Sequence, residues 1–308
     1  TLALGMLIVL LPGMIDLSVG SGVGMLGGIA CLILVLIPIQ LIGGPLMARV
    51  AFLITAVFYA VSSIPMFLHV KQINEPEILP AGESTFAHAF KKLGHTFRDV
   101  KRYKEFVKYA VSFLIYNDGI MMLMDNAAII AAILYGFQTS ELIILIIILQ
   151  VAGAGGAFLF GKISANKSSK QAIIYSLIML ILVIACLFIF KDKVLFYVIG
   201  ALAGFSLSGV QAVSRTMVSQ LAPHEKTAEF YGFLSVAGRT STFVGPVVFG
   251  SVYAAMINFY TNRGFTEALT KSNAMYWAIG SIIVFLLIGL FFLVFVKKVT
   301  PKEPLIFD

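Results

Sequence analysis

The residues that could do chemistry in this 308-residue chain are a few ionisable side chains inside long apolar stretches. Asp118 and Asp125 lie seven residues apart in one such stretch, so a helix would place both carboxylates on the same face. Arg239 lies in a second stretch. A charged side chain in a lipid environment costs about 2.5–3.5 kcal/mol, so these three are the first candidates for binding a proton, an ion or a polar substrate.

Polar residues near these charges extend the candidate site. Tyr116 and Asn117 directly precede Asp118, and Gln211 lies in a later stretch that is rich in glycine and serine. Small and polar residues in that later stretch, which runs from 194 to 217, indicate either a cavity wall or close packing between helices. We therefore assign Tyr116, Asn117 and Gln211, with the three charged residues, to a candidate substrate or coupling site.

Two further features concern gating and structure. Gly245 followed by Pro246 predicts a break or bend in its apolar stretch, which would serve as a gating point. Arg215 is expected near the end of its helix, where its long side chain reaches the membrane interface and pairs with Glu225 or Glu229.

Motifs typical of nucleotide chemistry occur in the wrong context. The glycine pattern at 22–27 fits a dinucleotide-binding loop but lies in an apolar stretch, where it indicates close helix packing. The segment 156–162 resembles a phosphate-binding loop, except that Ile163 replaces the required Ser or Thr. Cys31 and Cys186 lie in apolar stretches and are interpreted as small buried residues. No cofactor or metal is expected, and we do not predict an enzyme.

The composition identifies the environment of the chain. It is 59% hydrophobic and only 12% charged, with a mean hydropathy of +0.98, whereas soluble domains carry about 25% charged residues. These values exclude an ordinary soluble enzyme, a disordered chain and a nucleic-acid binder. The net charge of +7 therefore indicates contact with a lipid surface. We expect an all-α polytopic membrane protein whose partner is the lipid bilayer.

Apolar stretches of about 20 residues mark the membrane-spanning helices. A partial stretch occupies 1–15, and eight full spans are predicted at 21–43, 48–69, 107–136, 141–161, 171–190, 194–217, 229–256 and 275–296. The chain starts inside an apolar stretch and without Met, so we expect that the beginning of the protein is missing from it.

The basic residues predict the orientation in the membrane. Sixteen of the 22 Lys and Arg residues fall on one side of the predicted spans, half of them in the 70–108 connection. Five fall on the other side, namely Arg49, Lys191, Lys193, Arg263 and Lys271. Cytoplasmic loops are enriched in Lys and Arg, so we expect the 70–108 connection and the C-terminus in the cytoplasm, with the protein in a cell (inner) membrane.

The depths of the charges predict which of them meet. At a rise of ~1.5 Å per residue from the cytoplasmic ends of the spans, Asp118 lies ~18 Å deep, Arg239 ~15 Å and Asp125 ~28 Å. We expect Asp118 and Arg239 to meet near the midplane, directly or through water, in a polar cavity. A static ion pair that only fixes helix packing is the alternative, and Asp125 has the alternative of facing the outer headgroups.

The predicted spans group into two halves around a basic linker. In chain order the parts are the end of an N-terminal helical half (1–69), a cytoplasmic linker (70–106), a C-terminal six-helix half (107–298) and a cytoplasmic tail (299–308). Apolar residues at helical spacing between Ser84 and Tyr103 predict an amphipathic helix on the membrane surface, with a solvated linker helix as the alternative. Transporters of the major facilitator type have two six-helix halves around such a loop.

A series of short motifs resembles one branch of that superfamily. Residues 107–256 carry the resemblance through Tyr116-Asn-Asp-Gly119, Gln211-Ala-Val-Ser-Arg215, Leu221-Ala-Pro223, Ala228-Glu-Phe-Tyr-Gly-Phe233, Gly238-Arg239, Gly245-Pro246 and Phe249-Gly250. Together they resemble the autophagy-related vacuole effluxers of the major facilitator superfamily. The resemblance implies a twelve-helix fold with alternating access and, for the eukaryotic relatives, export of amino acids from vacuoles.

One position departs from the superfamily pattern, in which an Asp four residues after the glycine at 161 latches the inward gate. Ala165 stands there, so this copy of the latch is not expected. We predict a secondary active transporter of a small solute, with proton coupling and amino acid efflux as the specific expectations. Asp118 would bind the proton or a substrate cation, with Arg239 as its counter-ion or as a contact for an anionic group. The alternative is a non-transporting membrane scaffold or lipid-handling protein with the same fold.

Overall fold

The computed structural model describes residues 103–222, 227–241 and 243–297, together with Leu53 and Val57. The chain divides into two compact units, Thr1–Glu83 and Ser84–Asp308. In the first unit the two described residues, Leu53 and Val57, are helical and exposed. The spans predicted at 1–15, 21–43 and 48–69, and the amphipathic helix before Tyr103, otherwise lie outside the described residues.

The described part of the second unit is built from seven α-helices, which we number in chain order. They are α1 (Lys104–Tyr135), α2 (Thr139–Asn166), α3 (Ser169–Cys186), α4 (Lys193–Leu221), α5 (Thr227–Ser241), α6 (Val244–Asn262) and α7 (Glu267–Val294). Six of these seven, all except α5, are long and apolar enough to cross a membrane. The chain is therefore an integral multi-pass membrane protein of the all-α class.

Local sequence signals explain where several of these helices begin and end. Gly136 ends α1 in a left-handed conformation with φ of 64°, which glycine adopts without strain. Gln138 and Glu141 form a reciprocal capping box at the start of α2. Ser168 caps α3, and the Asp192 carboxylate caps α4 by accepting two backbone N–H groups.

Two helix pairs, α2 with α4 and α1 with α7, make the most extensive contacts in the described part of the chain. In the first pair, a Cβ atom at Gly156 would lie 1.9 Å from the Phe205 carbonyl oxygen, and one at Gly204 would lie 2.5 Å from the Leu149 carbonyl oxygen. Only glycine permits such an approach of two backbones. Gly204, one of the small residues of the 194–217 stretch, therefore serves close packing between helices rather than a cavity wall.

Polar side chains join three helices at one end of this unit. The Lys170 ammonium, in the first turn of α3, donates hydrogen bonds to the Val294 and Val296 carbonyl oxygens, at 2.7 and 2.6 Å. The Glu105 carboxylate, in the first turn of α1, accepts from the Lys297 N–H at 2.6 Å. These bonds satisfy carbonyl groups that the end of α7 leaves unpaired and attach that end to α1 and α3.

Five of the six predicted spans of the 107–298 half correspond to single membrane-length helices, but some of the bounds differ. One of these, α7, begins at Glu267 rather than at 275. Its first turns are polar, with an ion pair between Glu267 and Lys271, so an apolar window does not detect them. Trp277 follows these turns and donates from Nε1 to the Tyr260 hydroxyl at 3.1 Å, a pattern typical of a membrane interface.

The single span predicted at 229–256 is wrong, because the structure has two helices there. α5 ends at Ser241 and α6 begins at Val244. Gly245 and Pro246 lie just after this interruption, in the first turn of α6. A proline is tolerated there because the first N–H groups of a helix have no intrahelical partner, but its ring crowds the carbonyl group four residues earlier and so disfavours helix on its N-terminal side. The predicted break therefore falls just before the pair, between Ser241 and Val244, and its role in gating stays a prediction.

Candidate functional site

Asp118 lies near the middle of α1 and is only 4% exposed. Val111 and Asp125, seven residues before and after it on the same face of the helix, are both exposed. Asp118 and Asp125 thus share a helix face by register but differ in their surroundings. Of the two carboxylates, the one at Asp118 is covered by neighbouring helices and the one at Asp125 is open.

The beginning of α6 contributes to the cover over Asp118. A Cβ atom at Gly245 would lie 3.0 Å from the Asp118 carbonyl oxygen and 2.7 Å from Met122 Cγ, so the α6 backbone approaches α1 very closely. Near the end of α5, a Cβ atom at Gly238 would lie 3.5 Å from the Phe113 ring. The break between α5 and α6 therefore lies beside α1 at the level of Asp118.

This break places the N-terminus of a helix next to the segment that carries Asp118. Phe243, the N-cap residue of α6, supplies no side-chain hydrogen bond to the first turn. The N–H groups of a first helical turn carry a partial positive charge, which favours a nearby carboxylate. Interrupted helices whose ends face polar groups are typical of substrate and ion sites in transporters. The N-terminus of α6 is therefore close to the backbone of the segment that carries Asp118.

On another side, α7 holds the same segment of α1. The Ser112 hydroxyl donates to the Gly289 carbonyl oxygen at 2.8 Å. A Cβ atom at Gly119 would lie 3.1 Å from both Phe285 Cβ and Leu286 Cδ2, so α1 passes this point as an unbroken helix packed on α7. Contacts with α6 on one side and α7 on the other thus hold the segment of α1 that carries Asp118.

Tyr116 lies in the contact between α1 and α4 and is fully buried. Its hydroxyl is 2.7 Å from Ser214 Oγ and 3.4 Å from the Tyr109 hydroxyl. The Tyr109 hydroxyl donates to the Ser214 carbonyl oxygen at 2.7 Å. The structure therefore places Tyr116 in a cluster of hydroxyl groups inside the bundle. Asn117, which lies between Tyr116 and Asp118, is also buried.

Gln211 and Asp125 occupy more open positions near the same two helices. The Gln211 amide nitrogen on α4 lies 3.4 Å from Met124 Sδ on α1. Met124 is half exposed, and Asp125 follows it on the open side of α1. The Asn126 amide turns back to the Met122 carbonyl oxygen, 2.8 Å away. The contact between α1 and α4 thus runs from the buried hydroxyl groups to an exposed Met–Gln pair.

The structure describes the side chain of one of the two candidate arginines, Arg215, but not that of the other, Arg239. Arg239 belongs to the last turn of α5, but its side chain is not among those described, so its pairing with Asp118 stays a prediction. Arg215 lies on α4 and is partly buried, and its carbonyl oxygen accepts a 2.6 Å hydrogen bond from the Tyr231 hydroxyl of α5. Glu225, one of the predicted partners of Arg215, lies outside the described ranges.

Sequence reasoning missed Tyr109 as a site residue and missed the part that Ser214 plays. A usable signal was present, because Tyr109 and Tyr116 are seven residues apart in an apolar stretch and so share a helix face. Buried tyrosines need a partner for the hydroxyl, and serine is the natural one on a neighbouring helix. Within the described ranges, no three His, Cys, Asp or Glu side chains are grouped so that they could hold a metal ion.

Comparison with known sequences places the chain among membrane transport proteins. The sequence profile of the family described as "Vacuole effluxer Atg22 like" matches residues 17–298. The "Uncharacterized MFS-type transporter YxiO" of Bacillus subtilis (strain 168) is 24% identical over 260 residues, which cover 83% of this chain and 55% of that protein. "Autophagy-related protein 22-1" of Penicillium rubens is 24% identical over 267 residues, covering 76% of this chain and 43% of that one. The chain thus spans about half the length of these relatives.

A solved structure shares the fold. It is the crystal structure of a bacterial homologue of the human lysosomal transporter Spinster, in an inward-facing and unoccupied conformation. The match has a TM-score of 0.55 at 15% sequence identity, and it covers 91% of this chain and 69% of the other. The helical bundle is therefore of the major facilitator type, as the order and number of the spans predict.

Proposed function

The chain belongs to the vacuole effluxer Atg22-like family, and we propose that it is part of a secondary active transporter that moves a small solute by alternating access. In this proposal the solute is exported in exchange for, or together with, protons, and amino acids are the first solutes to test. The naming of the relatives as effluxers and as an MFS-type transporter supports this choice.

One observation carries the proposal, namely the burial of Asp118 in the middle of a membrane-length helix, beside the break between α5 and α6. A carboxylic acid in such a place is costly, and a packing role alone would be met more cheaply by an apolar side chain. A carboxylate can bind a proton or the ammonium group of a substrate. The adjacent interruption of α5 and α6 offers a point at which such binding can be coupled to movement.

The other predicted residues take graded roles around Asp118. Asn117 is buried next to it and would hydrogen-bond the substrate, whereas Gln211 and Asp125 lie at more open positions, where a substrate would enter or leave. Arg239 would act as the counter-ion of Asp118. Tyr116 would act indirectly, by holding α1 against α4.

The test is the substitution Asp118→Asn in the full-length protein, reconstituted in proteoliposomes. The probe is an equimolar ¹⁴C-labelled mixture of the protein amino acids, measured once with an imposed pH gradient and once as exchange without a gradient. If Asp118 carries the proton, the variant loses flux driven by the gradient by at least about tenfold but keeps exchange, because the amide cannot be deprotonated. If Asp118 binds the substrate, both activities are lost.

Asp125→Asn is the matched comparison for a more peripheral role, because it changes the same chemical group on the same helix face at an exposed position. We expect it to keep at least about half of the wild-type flux, since an exposed carboxylate is already solvated. Gradient-driven flux that is unchanged in Asp118→Asn would contradict the proposed role of Asp118. The absence of any flux in the wild-type protein, over a wider set of solutes, would favour a scaffold or lipid-handling role.

The same proposal covers location and orientation. The excess of Lys and Arg in the 70–108 connection supports a cytoplasmic position of that connection and of the C-terminus. A reporter fused to the C-terminus, active only in the cytoplasm, tests the orientation. Accessibility of that reporter from the outside would contradict it.

A further inference from the structure

The contact between α1 and α4 contains several polar groups. Tyr109 and Tyr116 on α1 both reach Ser214 on α4, and all three residues are almost completely buried. Farther along, Met124 and Gln211 touch at the open end of the same contact. We call the three buried residues the hydroxyl cluster.

The protons of the hydroxyl cluster can be assigned one by one, because each hydroxyl group has a single proton to donate. Ser214 Oγ donates to the Val210 carbonyl oxygen in its own helix, at 2.6 Å. The Tyr116 hydroxyl must therefore be the donor in its 2.7 Å bond with Ser214 Oγ. The Tyr109 hydroxyl donates to the Ser214 carbonyl oxygen. Both tyrosine hydroxyl groups thus donate their protons to acceptors on α4.

A second arrangement is available without any help from α4. The Tyr109 and Tyr116 hydroxyl groups are 3.4 Å apart, and both belong to α1. If α4 moved away, one tyrosine could donate to the other, so only one of the two buried protons would lose its acceptor. An unpaired donor in a water-poor interior is strongly unfavourable, so this second bond lowers the cost of separating the helices.

We infer that Tyr109 and Ser214 are positioning residues of the transport site, and that the hydroxyl cluster lets α1 and α4 separate and rejoin during the cycle. In the joined state Ser214 holds Tyr116, and through it the Asp118 segment of α1. In the separated state Tyr109 takes over as the partner of Tyr116. This inference rests on the proposed function, since it assigns a task within the transport cycle.

The first experiment is a set of variants of the full-length protein in the flux assay described above. Ser214→Ala leaves Tyr109 as a partner for Tyr116, and Tyr109→Phe leaves Ser214, so each single change should lower the maximal flux by less than about fivefold. The double variant leaves the Tyr116 proton without a partner in either arrangement. Its maximal flux should fall about tenfold below the product of the single effects, while the half-saturating concentration stays within about twofold.

Adding Tyr116→Phe to the double variant separates this idea from a simple loss of folding. It removes the unpaired proton, so the triple variant should recover most of the flux, because a polar pair replaced by apolar groups of similar shape is tolerated. Ser176→Ala is the matched control, since Ser176 is a fully buried serine that bonds the Ser206 carbonyl oxygen between α3 and α4. Additive effects in the double variant, or no recovery in the triple variant, would overturn the inference.

The second experiment needs no substrate. Nitroxide labels at Met124→Cys and Gln211→Cys, in a Cys31→Ser, Cys186→Ser background in nanodiscs, report the α1–α4 distance by dipolar broadening. We expect a broadened and a sharp component, with a smaller sharp fraction after Tyr109→Phe. Labels at Tyr260→Cys and Trp277→Cys, a contact between α6 and α7, are the control and should not respond. A spectrum with a single component, or a sharp fraction that Tyr109→Phe does not change, would refute the inference even if Asp118→Asn behaves as proposed.

Discussion

The two sides of α4 are built by different physical means. Toward α2, its glycines let the backbones touch, with Gly204 against the Leu149 carbonyl group and Phe205 against Gly156. Toward α1, it offers the Ser214 hydroxyl and carbonyl groups to two tyrosines. The first contact depends on shape and the second on hydrogen bonds that have an alternative.

We infer from this difference that the α2–α4 contact is fixed, and we call it the framework contact, whereas the α1–α4 contact can open. Lipid supplies no hydrophobic driving force between helices, so dispersion contacts at glycine positions must be numerous and exactly registered to hold two helices together. Such a contact has a single good arrangement. A contact through hydroxyl groups can exchange partners, which makes it suited to opening. The α2–α4 contact is therefore expected to stay intact throughout the transport cycle.

The largest expected effect is on the framework contact. Gly156→Ala would place a methyl group 1.9 Å from the Phe205 carbonyl oxygen, which is backbone and cannot rotate away. We expect the free energy of unfolding in detergent to fall by about 3 kcal/mol, with a corresponding loss of folded protein. Measurement is by thermal or denaturant unfolding of the purified protein.

Gly161→Ala is the control for that change, because nothing lies within 4 Å of a Cβ atom at Gly161 on the same helix. It should leave stability unchanged or raise it by up to about 1 kcal/mol, since alanine favours helix more than glycine does. If Gly156→Ala were as stable as Gly161→Ala, the description of the α2–α4 contact as rigid would be incorrect.

An intermediate effect is expected where α6 meets the Asp118 segment. Gly245→Ala would bring a methyl group 2.7 Å from Met122 Cγ, which can yield, and 3.0 Å from the Asp118 carbonyl oxygen, which cannot. Stability should fall by about 1–2 kcal/mol, and flux per folded protein should fall by more than stability alone explains. Gly250→Ala, at an open position of α6, serves as the control. Equal flux in the two variants would show that the α6 approach does not matter for transport.

The smallest effect is expected at the exposed end of the α2–α4 contact. There the Lys193 ammonium pairs with the Glu141 carboxylate at 2.8 and 2.9 Å, and both side chains are partly exposed. Lys193→Met should lower the free energy of unfolding by no more than about 1 kcal/mol, and less at high salt, because water and ions screen such a pair. Lys191→Met, on the same connection, is the control. If Lys193→Met lowered the free energy of unfolding more than Gly156→Ala does, the α2–α4 contact would depend on the ion pair rather than on glycine packing.

Much of the architecture could be predicted from local sequence properties. Five of the six membrane-length helices of the 107–298 half and the placement of Asp118 within a span follow from hydropathy alone. The end of α5 at Ser241 and the start of α6 at Val244 could not be located this way, because Gly245 and Pro246 mark the region but lie inside α6. The polar first turns of α7 were also invisible to an apolar window.

The candidate site also combines features that the sequence predicts with features that it does not. The search for ionisable residues in apolar stretches selected both Asp118 and Asp125, but the structure buries only Asp118 and leaves Asp125 exposed. The segment around Asp118 is packed against α6 and α7, both more than 120 residues away in the sequence. Tyr116 was grouped with Asp118 because the two are close along the chain, whereas the structure places its hydroxyl group in the α1–α4 contact.

The sequence by itself determined the membrane environment, the positions of most membrane-length helices in this part of the chain and the family, since transfer from water to lipid depends on the composition of each segment. The tertiary structure decided which side of each helix is covered, which carboxylate is buried and which hydroxyl groups meet. These outcomes depend on how closely two helices approach and in what register. Single residues such as Gly245 and Gly156 set that approach through contacts with residues far away in the chain.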